Sequence, residues 1–236
     1  EYDKNITASE LNFIISNGSD NSKSADSVFS LVNKVDGKYE YTINFNAWDN
    51  FTISEGAPVV DDGINTEKEL REAIEDGGEV VITGDITLED DTPFVITENV
   101  ILKSDDGKEV TINTAAATDA FTVNSGAELT LGEGITVTSS TSILYANGGT
   151  INIEGAVLTA DAPRYALAFA EGTGVINVIT GTVKTTSGDK VTIDAEGSNA
   201  KVNVINGVVE SAESTAITVR DNAVLTVDGG TVESKS

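Results

Sequence analysis

A degenerate repeat of about 22–26 residues runs to the end of the sequence and narrows what the chain can fold into. Its clearest line is a strand, a glycine turn and a second strand. It reads Thr150-Ile-Asn-Ile-Glu-Gly-Ala-Val157, then Val175-Ile-Asn-Val-Ile-Thr-Gly-Thr-Val183. Lys201-Val-Asn-Val-Ile-Asn-Gly-Val-Val209 and Ala223-Val-Leu-Thr-Val-Asp-Gly-Gly-Thr-Val232 follow. Short β runs at a period of this size, with no helix between them, imply a coiled β solenoid. Each repeat buries its apolar face only against its neighbours, so the repeat predicts shape before it predicts chemistry.

Two sets of strand triplets align from coil to coil. The first set is Phe121-Thr-Val123, Ile143-Leu-Tyr145, Leu167-Ala-Phe169, Val191-Thr-Ile193 and Ile217-Thr-Val219. The second is Leu129-Thr-Leu131, Ile151-Asn-Ile153, Ile176-Asn-Val178, Val202-Asn-Val204 and Leu225-Thr-Val227. Alternation places the outer two residues of a triplet inward and the middle one outward. On this register Tyr145 and Phe169 belong to the core. The middle residues Thr130, Asn152, Asn177, Asn203 and Thr226 form an outward ladder whose amides hydrogen-bond between coils. Two less regular coils, from Val80 to Ile112, precede these.

One helix is expected ahead of the solenoid. Thr66-Glu-Lys-Glu69 fits a capping box, and Leu70, Ala73 and Ile74 make one apolar face. Gly77-Gly78 stops the helix, because glycine takes a left-handed terminal position cheaply. Such a helix covers the apolar end of the first coil. Residues 1–54 lack the repeat and read as a small β domain. Leu11–Ile15 is a candidate strand, and Asp36-Gly37 is a hairpin turn between Val28–Val32 and Tyr39–Phe45. Ser16–Ser27 reads as a loop. The expected organisation is a small β domain over 1–54, a linker over 55–64, a capping helix over 65–78 and a parallel β-helix over 79–236.

At this point the chain resembles the pectate-lyase-like group of right-handed parallel β-helix proteins. The features that carry the resemblance are the helix from Thr66 to Asp76, three short strands per coil, and glycine turns at Gly126, Gly148, Gly172 and Gly197. It covers about residues 64–236. It implies an all-β, right-handed parallel β-helix, shared by polysaccharide lyases and hydrolases, bacterial adhesins and phage fibre or tailspike proteins. The Thr/Val/Gly-rich style is similar to the structural members. Separately, Asn5-Ile-Thr-Ala-Ser-Glu-Leu-Asn-Phe13 resembles the start of mature TasA/camelysin-type biofilm fibre proteins.

Composition excludes several function classes. The chain carries 39 acidic against 14 basic residues, a formal charge of −25, and no histidine or cysteine. Phosphate-neutralising nucleic-acid binding is therefore not expected. Thiol catalysis, zinc–thiolate sites and a Ser-His-Asp triad are impossible. No stretch approaches the ~20 apolar residues of a membrane span, so no membrane insertion is expected. Glu1 reads as a processed N-terminus or a boundary.

The remaining chemistry is sparse. For a hydrolase of this architecture, Asp161, Asp189 and Asp194 are the nearest catalytic candidates, with Asp119 beside them. Three of these four sit where turns enrich aspartate for backbone reasons. For a metal, the candidates are the acidic pairs Asp61-Asp62 and Asp105-Asp106; Asp90-Asp91 is a similar pair. None has the spaced ligands of a calcium loop, so no cofactor is expected and any calcium there would be adventitious. Arg164 and Arg220 are read as surface ion-pairing residues, and Trp48 as core of the small domain. Asn5, Asn17 and Asn50 lie in Asn-x-Ser/Thr sequons.

The expectation is a non-catalytic structural or adhesive module on a virion, a cell surface or an extracellular filament. A β-helix polysaccharide depolymerase and a glycan-binding adhesin are the alternatives. The final coil, Gly230–Ser236, is followed by no second capping helix. Its partner is expected to be another copy, another structural protein or another segment, with surface glycan as a further ligand.

Overall fold

The computed structural model of the chain describes residues 28–32, 40–47, 50–55, 63–105, 108–114, 119–161, 163 and 165–235. The chain divides into two compact units, Glu1–Asp62 and Gly63–Ser236.

In the first unit, Val28–Val32, Glu40–Ala47 and Asn50–Glu55 form an antiparallel sheet with the middle strand in the centre. Val28 pairs with Asn44 and Val32 with Glu40; the turn expected at Asp36-Gly37 lies outside the described residues. The expected strand at Leu11–Ile15, the loop after it and Trp48 lie outside the described residues.

The second unit is a parallel β-helix. Helix α1 (Glu67–Asp76) comes first, and its capping box is formed as expected. The Glu69 amide donates to the Thr66 hydroxyl at 3.3 Å, and the Thr66 amide donates to the Glu69 carboxylate at 3.1 Å. The helix ends at Gly77, whose φ of 71° and ψ of −175° form a backbone conformation that glycine adopts without strain. Leu70 and Ile74 are buried against the first coil. Ile64, expected in the linker, already bridges to Ile82, so pairing to the solenoid begins before the helix.

Glu67 fastens the helix to the coil below. Its carboxylate accepts from the Glu89 amide at 2.7 Å and from the Arg71 guanidinium at 2.6 Å. Arg71 in turn donates to the Thr92 carbonyl at 2.8 Å and lies 4.3 Å over the Phe94 ring. Burial alone would raise the Glu67 pKa, but the Glu89 amide, Arg71 and the Asp90 amide outweigh it and hold it below the ordinary 4.5. A carboxyl depressed in the fold contributes stability above its unfolded pKa and loses it as pH falls through the folded one. Glu67→Gln is therefore destabilised relative to the parent chain at pH 7. The gap should close as pH drops below 4.5 in paired thermal melts.

Three parallel sheets follow. The first contains Gly78–Ile82, Val100–Ser104, Glu128–Leu131, Thr150–Ile153, Val175–Val178, Lys201–Val204 and Val224–Val227. The second contains Ile86–Leu88, Val110–Thr114, Ile135–Ser139, Val157–Ala160, Thr182–Thr185, Val208–Ser211 and Thr231–Ser234. The third contains Phe94–Ile96, Phe121–Asn124, Leu144–Asn147, Ala166–Glu171, Val191–Glu196 and Ile217–Arg220. Each strand pairs with its counterpart one coil away.

Register partners Gly78, Val100, Leu129, Ile151, Ile176, Val202 and Leu225 are separated by 22, 29, 22, 25, 26 and 23 residues. The 29-residue coil exceeds the expected period. Its strands keep register, so the extra residues fall in its turns.

The core is a set of aliphatic columns running along the solenoid. In the first sheet Val100, Leu129, Ile151, Ile176 and Val202 stack with essentially no exposure. The Asn ladder forms on the outer surface of that sheet as expected. The Asn177 amide donates to the Asn152 carbonyl oxygen at 2.7 Å, and the Asn203 amide to that of Asn177 at 2.8 Å. The column ends differ. Val202 and Val204 are fully buried, whereas Leu225 and Val227, one coil on, are 37% and 51% exposed.

Candidate functional site

The third sheet is where the expected register fails. Leu144, not Ile143, pairs with Phe121, and Ala168, not Leu167, pairs with Leu144. Ile193 then pairs with Ala168. Two of the five triplets therefore begin one residue later than expected, and a third is displaced by two, which leaves Ile193 facing inward. A one-residue slip moves every side chain of a strand to the other face. Tyr145 and Phe169, expected inside, stand on the outer face instead, and Ala146, Ala168 and Ala170 fill the core. Ile143 and Leu167 are still fully buried, Ile143 just before its strand and Leu167 near the start of its own.

The outer face of this sheet has two columns. The first is Thr122, Tyr145, Phe169, Asp194 and Thr218. The second is Asn124, Asn147, Glu171, Glu196 and Arg220. Tyr145 and Phe169 stack with ring centroids 5.6 Å apart and planes inclined by 14°. Both rings are half-buried. The Tyr145 hydroxyl donates to the Glu171 carboxylate. Above the rings, Arg220 binds Asp194 at 2.6 Å and Glu196 at 2.9 Å.

Electrostatics reinforce the arrangement. Burial, then the Glu171 hydrogen bond and the negative charges of Glu171 and Asp119, push the Tyr145 phenol up to about 12. Burial likewise raises the Asp119 carboxyl above its ordinary value. The neutral phenol is thus favoured by the fold, and its contribution to stability is complete below pH 10 and declines as pH rises toward about 12. The ultraviolet phenolate titration of the parent chain minus that of Tyr145→Phe should show a tyrosine titrating well above 10. Glu171→Gln should bring that titration down.

The expected catalytic carboxylates are placed in different settings. Asp161 lies in a corner between the second and third sheets, where Thr186 and Ser187 hydroxyls donate to it at 3.1 and 2.7 Å. Asp189 occupies a later corner, with its side chain 87% exposed and paired to Lys190. Asp194, expected after a core strand, sits within one on the outer face, paired to Arg220. Asp119 is half-buried at the corner before Ala120. Three of the four candidates thus sit at corners, and only Asp194 stands within the two columns of the aromatic face.

Of the metal candidates, Asp105 forms an ion pair with Lys108 at 2.7 Å. Asp61, Asp62 and Asp106 lie outside the described residues, as does Arg164. Among the described residues no three His, Cys, Asp or Glu side chains gather as a metal site. No helix among them is long and apolar enough to cross a membrane.

Sequence reading missed the outward aromatics and their neighbours Glu171 and Glu196. A signal for them exists in the turns. Asn124, Asn147, Glu171, Glu196 and Arg220 each close a strand just before the next turn. Counting backward from those residues, rather than forward along apolar runs, recovers the observed register.

No family model, curated protein or solved structure matches the chain.

Proposed function

We propose that this chain is a non-catalytic structural or adhesive module exposed outside the cell, as part of a virion, a bacterial surface or an extracellular filament. The observation that carries the reading is the unbroken stacking of side chains along the solenoid. Aliphatic columns inside and the Asn152–Asn177–Asn203 ladder outside tie each coil to the next. Such a stack is a stiff rod that presents regular rows of side chains. The aspartates that a depolymerase would use are dispersed over corners and an ion pair, which supports the same reading.

The final coil belongs to this proposal. Val219, Leu225, Val227 and Val232 occupy inward positions yet are 37–51% exposed. Exposed apolar side chains beside unpaired strand edges favour further stacking. In the functional assembly this surface is covered by another copy, another structural protein or a further segment. Electron microscopy of the native source tests the reading, with filaments, spikes or particles expected. A dispersed monomer whose residues 217–233 are fully protected from hydrogen exchange would overturn the covered end. Release of reducing ends or unsaturated products from a polysaccharide panel, abolished by Asp161→Asn, Asp189→Asn or Asp194→Asn, would replace the structural reading with the depolymerase one.

A further inference from the structure

We infer that the outer face of the third sheet, centred on Tyr145 and Phe169, binds a glycan that carries free amino groups. Three observations converge there. First, two aromatic rings stand outward on adjacent coils, although the core of the same strands is filled with Ala146, Ala168 and Ala170. The fold does not use these rings for its interior.

Second, the rings are held in place. The Tyr145 hydroxyl is fixed by Glu171, the two rings stack on each other, and Asp194 in the next coil is fixed by Arg220. Rigid, supported side chains lose little freedom on binding, which is what a recognition surface requires. Third, the groups around the rings are hydrogen-bonding and mostly anionic. Asn124, Asn147, Glu171 and Glu196 line one side, Asp194 lies above, and Asp119 lies close enough to act on the Tyr145 phenol. Arg220 is the one cation of the two columns, and two carboxylates engage it.

The chemistry of the occupant follows from that charge. Carboxylates beside the edges of stacked rings favour a cation with apolar C–H surface, through charge pairing and apolar contact. Uronic, sulfated or sialylated glycans would meet repulsion. A basic peptide fits less well. The strands from Phe121 to Glu196 are paired on both sides, so none offers an edge for an added strand. Protonated amino sugars supply the cation, the C–H face and the hydroxyls for Asn124 and Asn147 together.

The test is calorimetric titration of the full chain with a glucosamine hexasaccharide near pH 5.5, beside its fully N-acetylated form, a galacturonate hexamer and an oligolysine of equal charge. The expected result is selective binding of the free-amine glycan. Phe169→Thr, which removes most of the apolar contact surface at the centre of the face, should weaken it about tenfold. That substitution leaves net charge unchanged and places a residue already found at Thr122 and Thr218 of the same column. Glu171→Gln should weaken it similarly. Glu233→Gln, which removes the same charge from the second sheet, should not. Circular dichroism of each variant reports folding separately. The inference is overturned if the free-amine glycan does not bind, if Phe169→Thr binds as tightly as the parent, or if Glu233→Gln matches Glu171→Gln. Equal binding of oligolysine, or preference for the acetylated or acidic glycan, also overturns it. None of these outcomes bears on whether the chain assembles into filaments or particles, so the two readings fail independently.

Discussion

Replacing Ile153 by alanine should cost about 2–5 kcal/mol of folding stability, because it opens a cavity that the coils on either side cannot fill. Ile153 is fully buried and pairs with Leu131 below and Val178 above in one inward column. Collapse into the space would require shifting a strand bonded on both sides. The same truncation at Leu225 should cost clearly less, since that side chain is already 37% exposed. Chemical denaturation of the two variants measures the difference in midpoint. A lower denaturant dependence in Ile153→Ala would mean that coils beyond the cavity separate first, as expected of a stack held by nearest-neighbour contacts. Equal losses at both positions would contradict the open final coil.

The second large effect is expected at Gly149. A Cβ built there would lie 2.5 Å from the Asn124 carbonyl oxygen and 2.7 Å from that of Val123. Both obstacles are backbone in the coil below, so neither moves cheaply. Gly149→Ala should destabilise the chain by about 1–3 kcal/mol, the range for overpacking. The comparison is internal, because Ala127 and Ala200 hold the corresponding position before the first-sheet strand in other coils. The difference is turn length. Asn147 reaches Gly149 through one intervening residue, whereas Asn124 reaches Ala127 through two. The shorter corner brings the chain against its neighbour. Thermal melts of Gly149→Ala beside Ala127→Gly would show a large loss in the first and a loss of at most about 1 kcal/mol in the second.

Much of this was legible before the structure. The second set of triplets was read in the observed register, because Ile-Asn-Ile, Ile-Asn-Val and Val-Asn-Val each allow one choice of inward face. The capping helix was legible too, since Thr66, Glu69, Leu70 and Ile74 carry a local signal that needs no distant partner. The aromatic face was not. Ile143-Leu144 and Ala166-Leu167-Ala168 are apolar at consecutive positions, so alternation within the strand permits either register. Counting the triplets from the first apolar residue, Ile143 and Leu167, is what places the rings inward.

The sequence by itself determined a solenoid: its period, its three strands per coil, its helix at one end, and the exclusion of thiol, zinc–thiolate and histidine chemistry. Those properties follow from local spacing and residue type. Only the tertiary structure decided which residues of the third sheet face solvent. There the choice between two registers rests on hydrogen bonds to the coils above and below. Those bonds place Leu144 over Phe121 and Ala168 over Leu144. One residue of slip separates a buried pair of rings from an exposed one. A single strand cannot settle that slip; a stack of paired strands can.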